Sequence, residues 1–194
     1  FLDPKAFYKG SVRGVPGLFK AWRKGNVGIL NAIGTGVADD KVVYSYVNKM
    51  IVYYLGEQPI LNQVETYLCH DKIQMDYVID NISKLVVKPA NASGGYGIMI
   101  GPKAPQKERE EVIAKIKKNP REFIAQPLEI LSTAPTITKN DIEPRHLDLR
   151  PFVLSGKSTY VTTGGLTRVA LRKGSTIVNS SQGGGSKDTL IVDI

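Results

Sequence analysis

Apolar positions recur with two periods along this chain, and the period changes where glycines and prolines fall. Residues 16–24, Pro-Gly-Leu-Phe-Lys-Ala-Trp-Arg-Lys, predict a short helix that ends at Gly25. Asn26 to Ile33 is apolar enough for a buried strand and runs into a small-residue turn, Gly34-Thr35-Gly36. Asp39 and Asp40 then suit a first helical turn, where the dipole favours carboxylates. Val42, Tyr46, Met50 and Tyr53 continue that helix on one face until Gly56 stops it. Thr66 to Cys69 reads as a strand and Asp71 to Lys84 as a second helix.

The middle of the chain is punctuated more sharply. Leu85-Val86-Val87-Lys88-Pro89 is a short apolar strand closed by proline, followed by the turn Ser93-Gly94-Gly95-Tyr96-Gly97 and a return strand, Ile98-Met99-Ile100. Residues 105–119 predict a helix with Glu108, Glu110 and Glu111 early, Lys115, Lys117 and Lys118 late, and Pro120 as terminator. Phe123 to Pro127 is another short strand. From His146 the pattern becomes an antiparallel meander: Leu147 to Leu154, Ser158 to Thr163, Thr167 to Leu171 and Thr176 to Asn179, with turns at Gly156-Lys157 and Lys173-Gly174. The run Gln182 to Ser186 reads as flexible or phosphate-contacting. Helices alternating with short strands early and a meander late give the class α+β.

Composition narrows the function. A chain of 194 residues supports one large domain or two small lobes. No apolar run is long enough for a bilayer, and the start, Phe1-Leu2-Asp3-Pro4, carries no signal-peptide pattern, so no membrane role is expected. The absence of Met at position 1 suggests the middle of a longer polypeptide. The single Cys69 excludes an internal disulfide, suits a reducing cytoplasm, and reads as a small buried residue rather than half of a nucleophile–base pair with His70. Two histidines and no cysteine pair leave nothing for a tetrahedral zinc site. The formal charge of +8 asks for an anionic partner. Its lysines and arginines are dispersed, without interleaved aromatics, which weighs against nucleic acid; a polyphosphate nucleotide wants the same excess, and composition alone does not decide between them.

Lys88 carries that proposal. A lysine ending a buried strand packs its stem among apolar groups and presents its ammonium at the strand's open end. The glycines that follow let backbone N–H groups approach oxyanions, although a plain glycine hairpin would look the same. Two familiar nucleotide motifs are absent. Gly183-Gly184-Gly185-Ser186-Lys187 lacks the spacing of a Walker loop, and no G-x-G-x-x-G joins a strand to a helix.

The order of the remaining motifs is distinctive. Asp39-Asp40-Lys41 opens a helix; Val86-Val87-Lys88-Pro89 with Ser93 to Gly97 follows, then Ile124-Ala125-Gln126-Pro127. Next come Asp148-Leu149-Arg150-Pro151-Phe152-Val153, Gly164-Gly165-Leu166-Thr167-Arg168-Val169 and Val178-Asn179-Ser180-Ser181-Gln182-Gly183-Gly184-Gly185. The series resembles the ATP-grasp superfamily, and Ala32 to Lys41 is similar to the circularly permuted type 2 group, often described as glutathionylspermidine synthase-like. The resemblance implies an α+β ATP-grasp fold, two lobes gripping ATP and incomplete in this chain. It implies a segment over residues 1–36, a lobe with the glycine-rich loop over 37–125 and an antiparallel lobe over 126–194.

The resemblance also implies an ATP-dependent ligase that joins a small-molecule carboxylate to an amine through an acyl phosphate. The alternative is a catalytically inactive ATP-binding or interaction module. Lys41 and Lys88 then contact the phosphates, Ser93, Gly94, Gly95, Tyr96 and Gly97 form a flap, and the backbone at Ala125, Gln126 and Leu128 reads adenine. Arg150 and Arg168 bind the terminal phosphate, with Asn179 and Gln182 as neutral donors beside it. One departure concerns magnesium, which the superfamily holds with an E-x-N pattern. Ile177 stands two residues before Asn179, so the Mg2+ ligands are expected upstream of this chain, and Asp148 is expected to orient an arginine or set strand register.

Overall fold

The computed structural model describes residues 2–12, 14–92, 95–138, 141–179 and 183–192. It divides into two compact units, Phe1–Pro59 and Ile60–Ile194.

The first unit is built from short helical pieces. Helix α1 (Leu18–Arg23) begins at Gly17 and ends before Gly25, as its sequence predicts. Its start is held by Asp3, a buried carboxylate that accepts from the backbone N–H groups of Gly17 at 3.1 Å and Phe19 at 3.0 Å. The strand expected over Asn26 to Ile33 does not form; the stretch is a series of bends, with Asn31 at φ 67° and Leu30 fully exposed. Asn26, Gly28 and Asn31 break the apolar run, and among the described residues no strand pairs with it.

The single helix expected from Asp39 to Gly56 is also broken. A 3-10 turn (Thr35–Asp39) leads to α2 (Lys41–Tyr44), α3 (Val47–Met50) and a wide π-type turn (Ile51–Leu55) that stops at Gly56, φ 67°. Asp40 caps α2, its carboxylate accepting from Val42 N–H at 2.8 Å. Valines and tyrosines fill these turns, and their crowded side chains favour helix weakly.

The described residues of the second unit form two four-stranded antiparallel sheets. The first has the order β1-β4-β2-β3, from β1 (Tyr67–Leu68), β2 (Leu85–Pro89), β3 (Met99–Ile100) and β4 (Phe123–Pro127). Helices α4 (Lys72–Asp80) and α5 (Gln106–Lys118) cover one face of it. Leu85, Val87, Met99 and Ala125 point to that side and pack with Val78 of α4 and Val112 and Ile116 of α5, one helical turn apart. Asp71 caps α4, accepting from Ile73 and Gln74 N–H at 3.0 Å each. The opposite face presents Val86, Lys88, Ile124 and Gln126, because these alternate with the core residues along the paired strands.

The second sheet runs β5-β6-β7-β8, from β5 (Thr133–Ile137), β6 (Ile142–Ser155), β7 (Thr159–Ala170) and β8 (Gly184–Lys187). The two strands expected over 158–171 are one, β7, which crosses Gly164-Gly165 opposite a register shift at Pro151/Val153. The strand expected at Thr176 to Asn179 is absent, and β8 forms instead inside the glycine run read as a tail. β5 has no counterpart in the sequence-based expectation. The Lys187 ammonium on β8 donates to the Pro135 carbonyl and, at 3.3 Å, to Thr136 Oγ1 on β5, linking the sheet's first and last strands. No helix among the described residues is long and apolar enough to cross a membrane.

Candidate functional site

Lys88 sits one residue before the proline that closes β2, with Val86 and Ile124 buried beside it on the same face. Its ammonium donates to Gln126 Oε1 at 2.6 Å, across to β4. Gln126 Nε2 donates to Thr66 Oγ1 at 2.8 Å, and Thr66 Oγ1 donates to the Val64 carbonyl at 3.0 Å. This acceptor of the lysine is a neutral amide, which restrains the ammonium without itself bringing a negative charge.

The glycine-rich turn folds directly onto this strand end. Gly95 (φ 81°) and Gly97 (φ 73°) are both left-handed, and a Cβ on Gly97 would come 2.9 Å from Pro89 Cγ. Tyr96 between them is 72% exposed. Ser93 and Gly94 lie outside the described residues. Of the three positions expected to read adenine, Ala125 is buried and paired with Val87 and Tyr67, and Gln126 is paired with Val86. Only Leu128 lies past the ladder, and it is partly exposed.

The second cluster is on β6 and β7. Asp148 stands directly opposite Arg168, so the two side chains share a face, and Arg150 is two residues along on that face. Arg168 donates through Nε to Asp148 Oδ1 at 2.9 Å and through Nη2 to Oδ2 at 2.5 Å, a bidentate pair. Arg150 Nε lies 3.6 Å from Asp148 Oδ2. Arg168 is 15% exposed and Arg150 53%, so one guanidinium is fixed in the sheet and the other reaches into solvent. The hydrogen bonds from Arg168 hold the Asp148 carboxyl below the usual carboxylate range, and the same contact raises Arg168. Asp148 thus orients arginines, as its sequence context suggested.

Asn179 is brought to the same sheet by its backbone. Its carbonyl accepts from Gly184 N–H at 3.0 Å, and Gly184 pairs with Ala170, two residues beyond Arg168 on β7. A Cβ at Gly184 would meet the Val178 carbonyl oxygen at 2.2 Å, so only glycine lets the strand pass this loop. Gln182 lies outside the described residues.

Lys41 belongs to the first unit, where it is the first residue of α2 behind the Asp40 cap. In that unit Leu2 and residues 29–36 line a hollow of about 240 Å3, which takes in the start of the Ala32 to Lys41 stretch. Among the described residues no group of three His, Cys, Asp or Glu side chains is placed to hold a metal ion.

Two features, involving three side chains, escaped the sequence reading. Thr66 and the Gln126 side chain fix Lys88, and the available signal was a glutamine on the buried, apolar phase of a short strand, where an amide demands partners. Arg145 is the other. It is buried on the far face of the second sheet, paired with Glu143 at 2.5 Å and donating to the Leu171 carbonyl, a structural tie at the end of β7.

With this geometry in hand, the comparisons are informative. The sequence model described as circularly permuted ATP-grasp type 2 matches residues 1–170. An uncharacterized protein of Synechocystis sp. is 54% identical over 193 residues, covering 99% of this chain and 40% of its own length. An uncharacterized protein of Mycobacterium tuberculosis is 53% identical over 193 residues, again 99% of this chain and 35% of its own length. A Frankia casuarinae protein provisionally named glutamate–cysteine ligase 2-2 is 52% identical over 182 residues, 94% of this chain and 21% of its own length. The chain therefore spans well under half the length of these curated relatives.

Proposed function

The chain belongs to the circularly permuted ATP-grasp type 2 family, and from that premise we propose that it supplies the nucleotide-gripping part of an ATP-dependent carboxylate–amine ligase. The observation that carries this reading is Lys88, fixed by a neutral amide at a strand end onto which a left-handed glycine turn folds. That combination suits a phosphate chain: a positive charge in a set place beside backbone that can approach oxyanions. The Frankia relative's name supports a ligase class, since glutamate and cysteine bring a carboxylate and an amine, although that protein is far longer than this chain.

In this reading Lys88 and the Gly95–Gly97 turn hold the phosphates, while Leu128 and the end of β4 receive the base. Arg168, steadied by Asp148, and the more exposed Arg150 face the terminal phosphate and the substrate carboxylate, with Asn179 beside them. A carboxylate oxygen attacks the γ-phosphorus and ADP leaves. The amine then displaces phosphate from the acyl phosphate, losing a proton as the amide forms. Phosphoryl transfer of this kind needs placement and charge neutralisation rather than a side-chain nucleophile. We assign magnesium no residue here, because the described acidic groups do not cluster. Lys41 as second phosphate contact, the lobes 37–125 and 126–194 and the glutathionylspermidine synthase-like kinship rest on the resemblance, and a cytoplasmic site of action on the single Cys69.

The test is nucleotide binding by calorimetry on the whole protein. Lys88→Ala should weaken ATP at least about tenfold, the scale of one lost charge-assisted contact. Unchanged ATP affinity in that variant overturns the reading. ADP release with amine and carboxylate mixtures then separates a ligase from a binding module.

A further inference from the structure

Gln126 is held from both ends in a way that leaves its amide one orientation. It is 7% exposed on the apolar phase of β4, so its donor and acceptor must be satisfied in place. Thr66 has one hydroxyl proton, and that proton goes to the Val64 carbonyl at 3.0 Å. Thr66 Oγ1 can therefore only accept from Gln126, and it accepts from Nε2 at 2.8 Å. This fixes the nitrogen toward Thr66 and the oxygen toward Lys88, whose ammonium it meets at 2.6 Å. The flipped amide would set its oxygen against a hydroxyl whose proton is already given to the Val64 carbonyl, and its NH2 group against an ammonium that only donates.

We propose that Gln126, latched by Thr66, is a positioning residue that fixes the Lys88 ammonium for a phosphate oxygen and acts on nucleotide only through that lysine. The proposal rests on the reading of Lys88 as a phosphate-binding group. The choice of an amide has a physical reason. A carboxylate at 126 would hold the ammonium more strongly but would neutralise it and repel the incoming phosphate. An apolar side chain would remove this restraint, and the four-carbon stem would lose more rotamer freedom when the nucleotide binds. A neutral acceptor with a fixed orientation avoids both costs.

The experiment is a double-mutant cycle read by nucleotide affinity on the whole protein, with adenosine as the phosphate-free control. Lys88→Met should weaken ATP at least about tenfold, and Gln126→Met about three- to tenfold, the worth of pre-ordering one long side chain. Adding Gln126→Met to Lys88→Met should produce no further loss, and adenosine affinity should move in none of them. Thr66→Val, close in shape but unable to accept, should weaken ATP about two- to threefold and keeps the test decisive if Gln126→Met does not fold. Gln126→Met costing the same factor with and without Lys88, equal losses for adenosine and ATP, or an unaltered Thr66→Val each overturn the proposal. ATP binding by Lys88→Met at wild-type affinity is a different failure, because it removes the phosphate role of the lysine itself.

Discussion

The lysine of the first sheet and the arginines of the second are restrained by opposite means. Lys88 meets an amide oxygen, a holder that brings no charge of its own. Arg168 meets a carboxylate through two parallel hydrogen bonds, and Arg150 shares the same oxygen at a longer distance. Two guanidiniums on one carboxylate leave one positive charge in excess, carried mainly by the exposed Arg150. A group meant to meet a phosphate directly gains from a neutral holder. A group that is largely buried needs a charged partner to offset its lost hydration. On this contrast Arg168 anchors and Arg150 reaches.

The strongest way to break the contrast is to remove each holder. Asp148→Ala strands a guanidinium that is 15% exposed, and should cost about 2–3 kcal/mol of stability. Gln126→Met removes a neutral acceptor from the Lys88 ammonium, worth about 1 kcal/mol. Urea midpoints at neutral pH measure both. Equal losses would mean that the arginine pair is no more structural than the lysine contact.

Acid should separate the two sites next. The Asp148 carboxyl is held below its unfolded value of about 4, chiefly by Arg168. Its stabilisation is therefore full above that value and is lost as pH falls through the folded one. The wild-type advantage over Asp148→Asn should be constant near neutrality and shrink below about pH 4. Using the difference matters, because other carboxyls also respond. Hydrogen bonds from Arg145 lower Glu143, and at Asp3 burial alone would raise the group but the N–H donors of Gly17, Phe19, Lys5 and Ala6 more than offset it. The Lys88–Gln126 contact contains no carboxylate, so the Gln126→Met difference should stay flat over the same range. A flat profile for Asp148→Asn would sink the assignment of the acid window to this pair.

How much of this was readable beforehand depends on how local each element is. β2 and β4 occupy the bounds their sequence predicted, because each is an apolar run closed by proline. α5 matched within a residue at each end, since its acidic start, basic finish and Pro120 all act within one turn. The run Asn26 to Ile33 looked like a strand and is not one, because apolar content does not supply a pairing partner. β8 was hidden for the converse reason: glycines that look like a tail are what allow the close pass of Gly184 over Val178. The candidate site follows the same rule. Lys88 and Arg168 stood out by type, but their holders lie 38 and 20 residues away in sequence and become neighbours only through strand register.

The smallest expected effect tests whether the two sheets open independently. Cys69 is buried in the core beneath the first sheet, and that burial pushes its thiol up to about 11. At neutral pH it is a protonated, covered group that alkylates only when that core opens. If opening of the first sheet is a local event, Asp148→Ala in the second sheet should change the Cys69 labelling rate by less than about twofold under native conditions. If both sheets open only together, the same 2–3 kcal/mol lost at Asp148 should speed labelling by about thirty- to a hundredfold, since each 1.4 kcal/mol is tenfold in the open population. Ile116→Ala, which hollows the core around Cys69, supplies the positive control and should accelerate labelling in either case. A thirtyfold rise in Asp148→Ala would make the two restraints parts of one cooperative body, and the contrast between them one of chemistry alone.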